Sequence, residues 1–244
     1  MAVETGEVEN SAIERLFKAG MQYAYAKSRR HPSVSSFIFG SKNRVEIFNL
    51  TGVFGALSAA KDFVRELGKE KKVILIISSK QEAREAIKKA ANTLGMPAVA
   101  GRFIGGTLTN FAQIKKRIEK LEKLLSEKES GELDRYTKKE RLLIDREIAR
   151  LEHDFGGIRN LKALPAALIV IDPRREANAV KEARDLTIPV VALLNSDCNL
   201  KEVTYAVPGN DSLKSSIALF LEEIAEAYLE GTKSITTTST PEIL

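Results

Sequence analysis

Apolar and polar positions fall into distinct regimes along this chain. Short uninterrupted apolar runs stand at Val73–Ile77, Pro97–Ala100, Ala166–Ile171 and Ile188–Leu194, and a further extended piece ends at 208–211. Continuous apolar runs, unlike alternating ones, mark strands buried on both faces. Amphipathic segments separate them. One helix is expected from about Thr51 to Gly68. A second follows Val73–Ile77 and stops at Gly95. A third is opened by Asp172 and Pro173, aspartate suiting the N-cap and proline the first turn. A last helix, capped by Asp211 or Ser212, runs to about Gly231. Strands alternating with helices predict a parallel sheet covered on both faces. With right-handed crossovers this is a three-layer, doubly wound α/β domain.

A different period interrupts that domain. From Phe111 the apolar residues advance by threes and fours, through Ile114, Ile118, Leu121 and Leu125. After the polar break 126–137, which holds Gly131, Ile144, Ile148, Leu151 and Phe155 repeat the step. That is a heptad seam, by which two helices lie side by side. The stretch therefore reads as an inserted antiparallel coiled-coil helical hairpin. Its first arm, Phe111–Lys128, would be about 27 Å long at 1.5 Å per residue. The expected organisation is a disordered 1–10, an α/β globular domain over 11–108 and 156–231, the hairpin over 109–155, and a polar disordered tail over 232–244. Upstream, Ser11 and Glu14 form a capping-box signal for a short helix over Ala12–Ala19. Phe37–Phe39 and Val45–Leu50 read as short strands about a turn at Gly40–Asn43.

Charge narrows the function classes. The net charge of +5 and the pI near 9.2 suit a polyanionic partner without requiring one. From Glu14 to Val45 there are seven basic residues against one acid, whereas Ala112–Phe155 balances twelve basic against eleven acidic residues. The hairpin body is thus a solvated, paired surface whose task is reach. Cys198 is the only cysteine, which excludes a disulfide framework and fits a reducing cytoplasm. No apolar run approaches a membrane span, and the acidic, polar start is wrong for a signal peptide.

Catalytic motifs are wanting. Glycines at 101, 105 and 106 have the wrong spacing for a dinucleotide fingerprint, and no phosphate-binding GxxxxGK[ST] loop occurs. Cys198, His31 and His153 lie too far apart in sequence for a Cys–His nucleophile or a metal site by spacing. No catalytic residue, metal or cofactor is expected. Two segments instead suit nucleic acid. In the first, Tyr23, Tyr25 and His31 interleave with Lys27, Arg29, Arg30, Lys42 and Arg44, aromatic faces for bases among cations for phosphates; a solvated basic edge would look the same. The second holds Arg102, Lys115, Lys116 and Arg117 without an acid, with Thr107, Thr109 and Asn110 as donors and Thr109 as a helix cap whose neighbouring amides would attract phosphate; a plain strand-to-helix turn is the alternative. Two rival readings remain at this point: a nucleotide-binding enzyme with a pocket near 172–174 and 195–198, and a hairpin-mediated protein-interaction module without RNA.

The stretches GRFIGGTLTNFAQIKKRIEKLEKL, YTKKERLL, REIARLEHDFGGI, LPAALIVIDPRREANAVKEAR, IPVVALLNSDCN, YAVPGND and FIFGSKNRVEIFNL together resemble the bacterial-type small ribosomal subunit protein 2 family, from about Phe17 to Gly231. The resemblance implies a flavodoxin-like domain with a protruding coiled-coil hairpin and no catalytic activity. It further implies contact with small-subunit ribosomal RNA near the head–body junction and with other small-subunit proteins. Those would include the large OB-repeat messenger-RNA-binding protein, with the chain a monomer within a cytoplasmic ribosome. The chain departs from the family in one stretch. Gln22 and Tyr25 stand at histidine positions, Arg30 at a tryptophan and His31 at an asparagine, with only Pro32 retained. The histidines through which a metal could bridge are therefore missing there.

Overall fold

The structure is a computed structural model, and it describes residues 2–236. Its helices are α1 (Ala2–Lys18), α2 (Leu50–Lys69), α3 (Arg84–Leu94), α4 (Phe111–Glu129), α5 (Lys138–Phe155), α6 (Ala177–Asp185) and α7 (Lys214–Thr236). Its strands are β1 (Tyr23–Ala26), β2 (Ile38–Lys42), β3 (Val45–Phe48), β4 (Ile74–Ile77), β5 (Ala98–Val99), β6 (Ala167–Ile171), β7 (Val190–Leu194) and β8 (Tyr205–Pro208).

Five strands pair in parallel in the order β5-β4-β6-β7-β8. Counted within the sheet this is 2-1-3-4-5, the flavodoxin-like order, whose switch point lies between β4 and β6. The apolar runs serve both faces by alternation. Ile74, Ile76, Ile169, Ile171, Val191 and Leu193 pack with α2, α3 and α7 in one core. Leu75, Ile77, Leu168, Val170, Ala192 and Leu194 pack with α6 and with Ile114, Ile118, Leu121, Ile148, Leu151 and Phe155 in the other. The heptad residues of α4 and α5 are thus continuous with the sheet's second core. The two helices run antiparallel, with Lys120 meeting Glu147 and Lys128 reaching Asp145 at 2.6 Å across the seam. The chain leaving α5 passes close under the sheet edge: a Cβ on Gly157 would lie 2.0 Å from the Ala98 carbonyl oxygen, so only glycine fits.

Four expectations are revised. The first helix begins at Ala2, not Ala12, so Ser11 lies inside it; no proline interrupts residues 2–10. The last helix continues past Gly231 to Thr236, tied by the Thr232 hydroxyl donating to Tyr228 O and Gly68 O. Met1 and 237–244, the remainder of the expected disordered ends, lie outside the described residues. A third strand, β1, joins β3 and β2 in a separate antiparallel sheet, order β1-β3-β2. Its tight turn is Asn43–Arg44, both at positive φ (52° and 65°), as a two-residue I′ hairpin requires. Finally, Asp172 does not cap a helix in the ordinary way. It sits at φ 64° and holds a turn through Arg175 N and Glu176 N, and α6 starts only at Ala177.

Candidate nucleic-acid interface

In a flavodoxin-like sheet the ligand crevice lies beyond the strands' C-terminal ends at the switch point. Here that place is filled by the chain itself. Lys80, following β4, is buried, and its Nζ lies 2.9 Å from Asp172 Oδ2, 2.6 Å from Asp211 Oδ2 and 3.2 Å from Asp211 O. Asn195 Nδ2 donates to Asp211 Oδ1 at 3.0 Å, and Ser79 N donates to buried Glu176 at 2.6 Å. Burial pulls the Lys80 ammonium toward a lower pKa, but Asp211 and Asp172 together outweigh it and hold the value above the ordinary 10.5. Cys198 beside them is buried. Desolvation first, then the Asp172 and Asp197 carboxylates, push its thiol up to about 12, the opposite of an activated nucleophile. Among the described residues there is no cluster of three or more His, Cys, Asp or Glu able to hold a metal ion, and no helix long and apolar enough to cross a membrane.

The sequence-derived cations divide into two groups. Lys27, Lys42, Arg44, Arg102, Lys115, Lys116 and Arg117 are exposed. None of the seven has an acidic partner within 4.0 Å among the described residues. Lys42 and Arg44 flank and occupy the β2–β3 turn, whereas Lys115, Lys116 and Arg117 lie on the first turns of α4. Arg29 and Arg30 carry acidic partners instead, Arg29 with its side chain still 55% exposed. Arg29 lies 4.0 Å over the Tyr25 ring and donates to Asp197 at 3.1 Å. Arg30 donates to Glu46 at 3.0 Å, and Glu46 is only 2% exposed. Tyr25's hydroxyl is spent on Ser212 at 2.8 Å and Asp211 at 3.4 Å, and Gln22 is buried.

The glycine-rich turn departs from expectation. Thr109 does not cap α4; the N-cap is Asn110, which makes no side-chain cap bond. Thr107 is buried, its hydroxyl donating to Ile104 O at 2.5 Å. The amides that a phosphate would seek already carry an anion. Gly106 N donates to Glu182 Oε1 at 2.6 Å, and Leu108 N, Thr109 N and Thr109 Oγ1 donate to Glu182 Oε2 at 3.0, 3.1 and 3.2 Å. Gly106 permits the turn with φ 86°.

Sequence reasoning missed a basic notch. A cavity of about 530 Å³ is bounded by Arg84, Lys88, Arg102, His153 and Asn160, with Glu152 and Asp154 on its hairpin side. Arg84 and Lys88 share a face of α3 at i,i+4 spacing, a signal visible in the sequence but meaningful only once Arg102 is known to line the same cavity.

The crevice is plugged by the chain's own ion pairs, while seven exposed cations lack acidic partners among the described residues. Comparison with known proteins gives the particular family. The family model described as Ribosomal protein S2 matches residues 16–231. A small ribosomal subunit protein uS2 from a Nitratiruptor species is 41% identical over 219 residues, covering 90% of this chain and 82% of that protein. Another, from Desulfovibrio desulfuricans, is 37% identical over 220 residues, covering 90% and 85%. The chain belongs to the ribosomal protein S2 family, and with it to the structural, non-enzymatic proteins of the small ribosomal subunit in the cytoplasm.

Proposed function

We propose that the protein binds small-subunit ribosomal RNA near the head–body junction, using the exposed cations of the β2–β3 turn, of Arg102 and of the first turns of α4. In this reading residues 11–108 and 156–231 form the body, and 109–155 form an inserted coiled-coil arm that reaches a neighbouring protein or RNA. The observation that carries it is the run Lys115, Lys116 and Arg117, exposed and without acidic partners among the described residues where α4 begins. Arg29 and Arg30 serve mainly to fix the body's own surface, and Thr107, Thr109 and Asn110 shape the turn. The large OB-repeat messenger-RNA-binding protein is proposed as a partner of the body. Gln22 is buried and the Tyr25 hydroxyl is bonded to Ser212, so neither offers the free ring nitrogen of the family's histidines.

Phosphate contacts release counterions, so each lost contact lowers the log-affinity versus log-salt slope by roughly 0.7–0.9. Replacing Lys115, Lys116 and Arg117 by alanine is expected to flatten that slope for ribosomal RNA by roughly 2–3 if all three touch phosphate. An unchanged affinity and slope would sink the assignment. Crosslinking of the purified small subunit, mapped to nucleotides, tests the location.

A further inference from the structure

The Glu182 carboxylate has no part in the RNA reading, yet it is the most heavily bonded acid near the arm. It projects from α6, on the body, and accepts from three backbone amides and one hydroxyl of the turn that launches α4. Three amides of one turn converging on one anion form a nest of the kind that elsewhere holds a phosphate. Here the anion is supplied from within the chain, 73–76 residues away in sequence. Three of the four bonds come from backbone donors that the turn itself holds in place. Removing the acceptor would leave the turn's donors without a protein partner, so the contact costs more to lose than one neutral bond.

We infer that Glu182 is a positioning residue: an internal stand-in for phosphate that clasps the base of the α4–α5 arm to the body and fixes the arm's direction before RNA is met. Two observations point the same way. Gly106 sits at positive φ, so the nest geometry depends on a conformation that few other residues adopt. Phe103 and Leu108 on either side of the turn are buried in the core shared by α6 and the arm, so the carboxylate closes over an apolar seat. The apolar seat sets contact, and the clasp sets angle. With Glu182 in place the nest is closed to RNA phosphate; the unpaired cations one turn further along α4 remain open to it. The inference rests on the arm being the RNA-gripping element only for its functional meaning, and its test does not involve RNA.

The test measures distances in the full-length protein between spin labels at Asn92→Cys on α3 and Ser130→Cys at the arm's tip, both exposed; Cys198 is buried and stays unlabelled. Glu182→Ala is expected to broaden the distance distribution. Glu182→Gln, which keeps one acceptor oxygen, should broaden it less, and Lys181→Ala should leave it as in the parent. Should Glu182→Ala destabilise the fold, Glu182→Gln carries the test. A distribution as narrow as the parent's in the folded Glu182→Ala or Glu182→Gln protein overturns the clasp. Formate added to Glu182→Ala should narrow the distribution more than equal chloride does. The RNA reading fails separately, if Lys115, Lys116 and Arg117 prove dispensable for RNA while the distance stays unchanged.

Discussion

Lys80 stands where a flavodoxin-like sheet would seat a phosphate, and at the scale of single residues it decides what this crevice can do. Its ammonium is 8% exposed and faces Asp172 and Asp211, the latter 1% exposed. Removing one partner of a buried pair leaves the other charge uncompensated, at a cost of about 3–5 kcal/mol. Lys80→Met is therefore expected to lower the melting temperature far more than a surface lysine change such as Lys71→Met. The pH dependence has a definite sign. A lysine whose folded pKa is raised contributes stability that is whole below the unfolded value and is lost as pH climbs through the folded one. Alkaline titration should thus destabilise the parent protein in a range where Lys80→Met shows a smaller decline. Cys198, held up to about 12, is the second residue-scale test. Iodoacetamide at neutral pH should alkylate it slowly in the native protein and rapidly in urea. Fast native labelling would show that the crevice is open.

At the scale of elements, the arm is stabilised by its seam rather than by its surface charges. Leu121 is fully buried between Ile118 and the α5 residues, while the cross-seam pairs Lys120–Glu147 and Lys128–Asp145 are about half exposed and add little. Leu121→Ala is expected to cost about 2–5 kcal/mol, read as an earlier loss of helical signal on heating. α5 starts on a capping box, with Thr137 N donating to Glu140 at 2.9 Å and Thr137's hydroxyl accepting from Glu140 N at 3.4 Å. The box lies at the end of the polar break that marks the arm's reversal in the sequence. Such features are legible because they are local: a heptad step, a glycine at the end of α3, an unbroken apolar strand. What escapes the sequence is partner choice over distance. Nothing in residues near Glu182 or Lys80 announces a bond to a turn 73–76 residues away or to an aspartate 131 residues away. Asp172 misleads for a related reason, since Asp-Pro suits an N-cap and only the folded chain shows the aspartate at positive φ and paired with Lys80. β1 is invisible because four residues alternating Tyr and Ala are too few to set a strand apart from the chain around it.

At the scale of the whole molecule, a net charge of +5 does not say where an anion would bind. The folded chain spends Arg29, Arg30 and Arg174 on Asp197 and Glu46, whereas the cations of the β2–β3 turn and the start of α4 meet no acid among the described residues. The salt-slope experiment should therefore discriminate among cations of equal formal charge. Arg30→Ala is expected to lower stability, by leaving buried Glu46 without its partner, and to leave the slope nearly unchanged. The α4 triple replacement should do the reverse.

One consequence of the shared second core concerns mechanics. Because Ile114, Ile118 and Phe155 belong to the same apolar mass as Leu168 and Ala192, the roots of α4 and α5 are seated on the sheet and not joined to it by chain alone. A load applied to these helices would therefore reach the central strands through packed side chains as well as through the connecting turns.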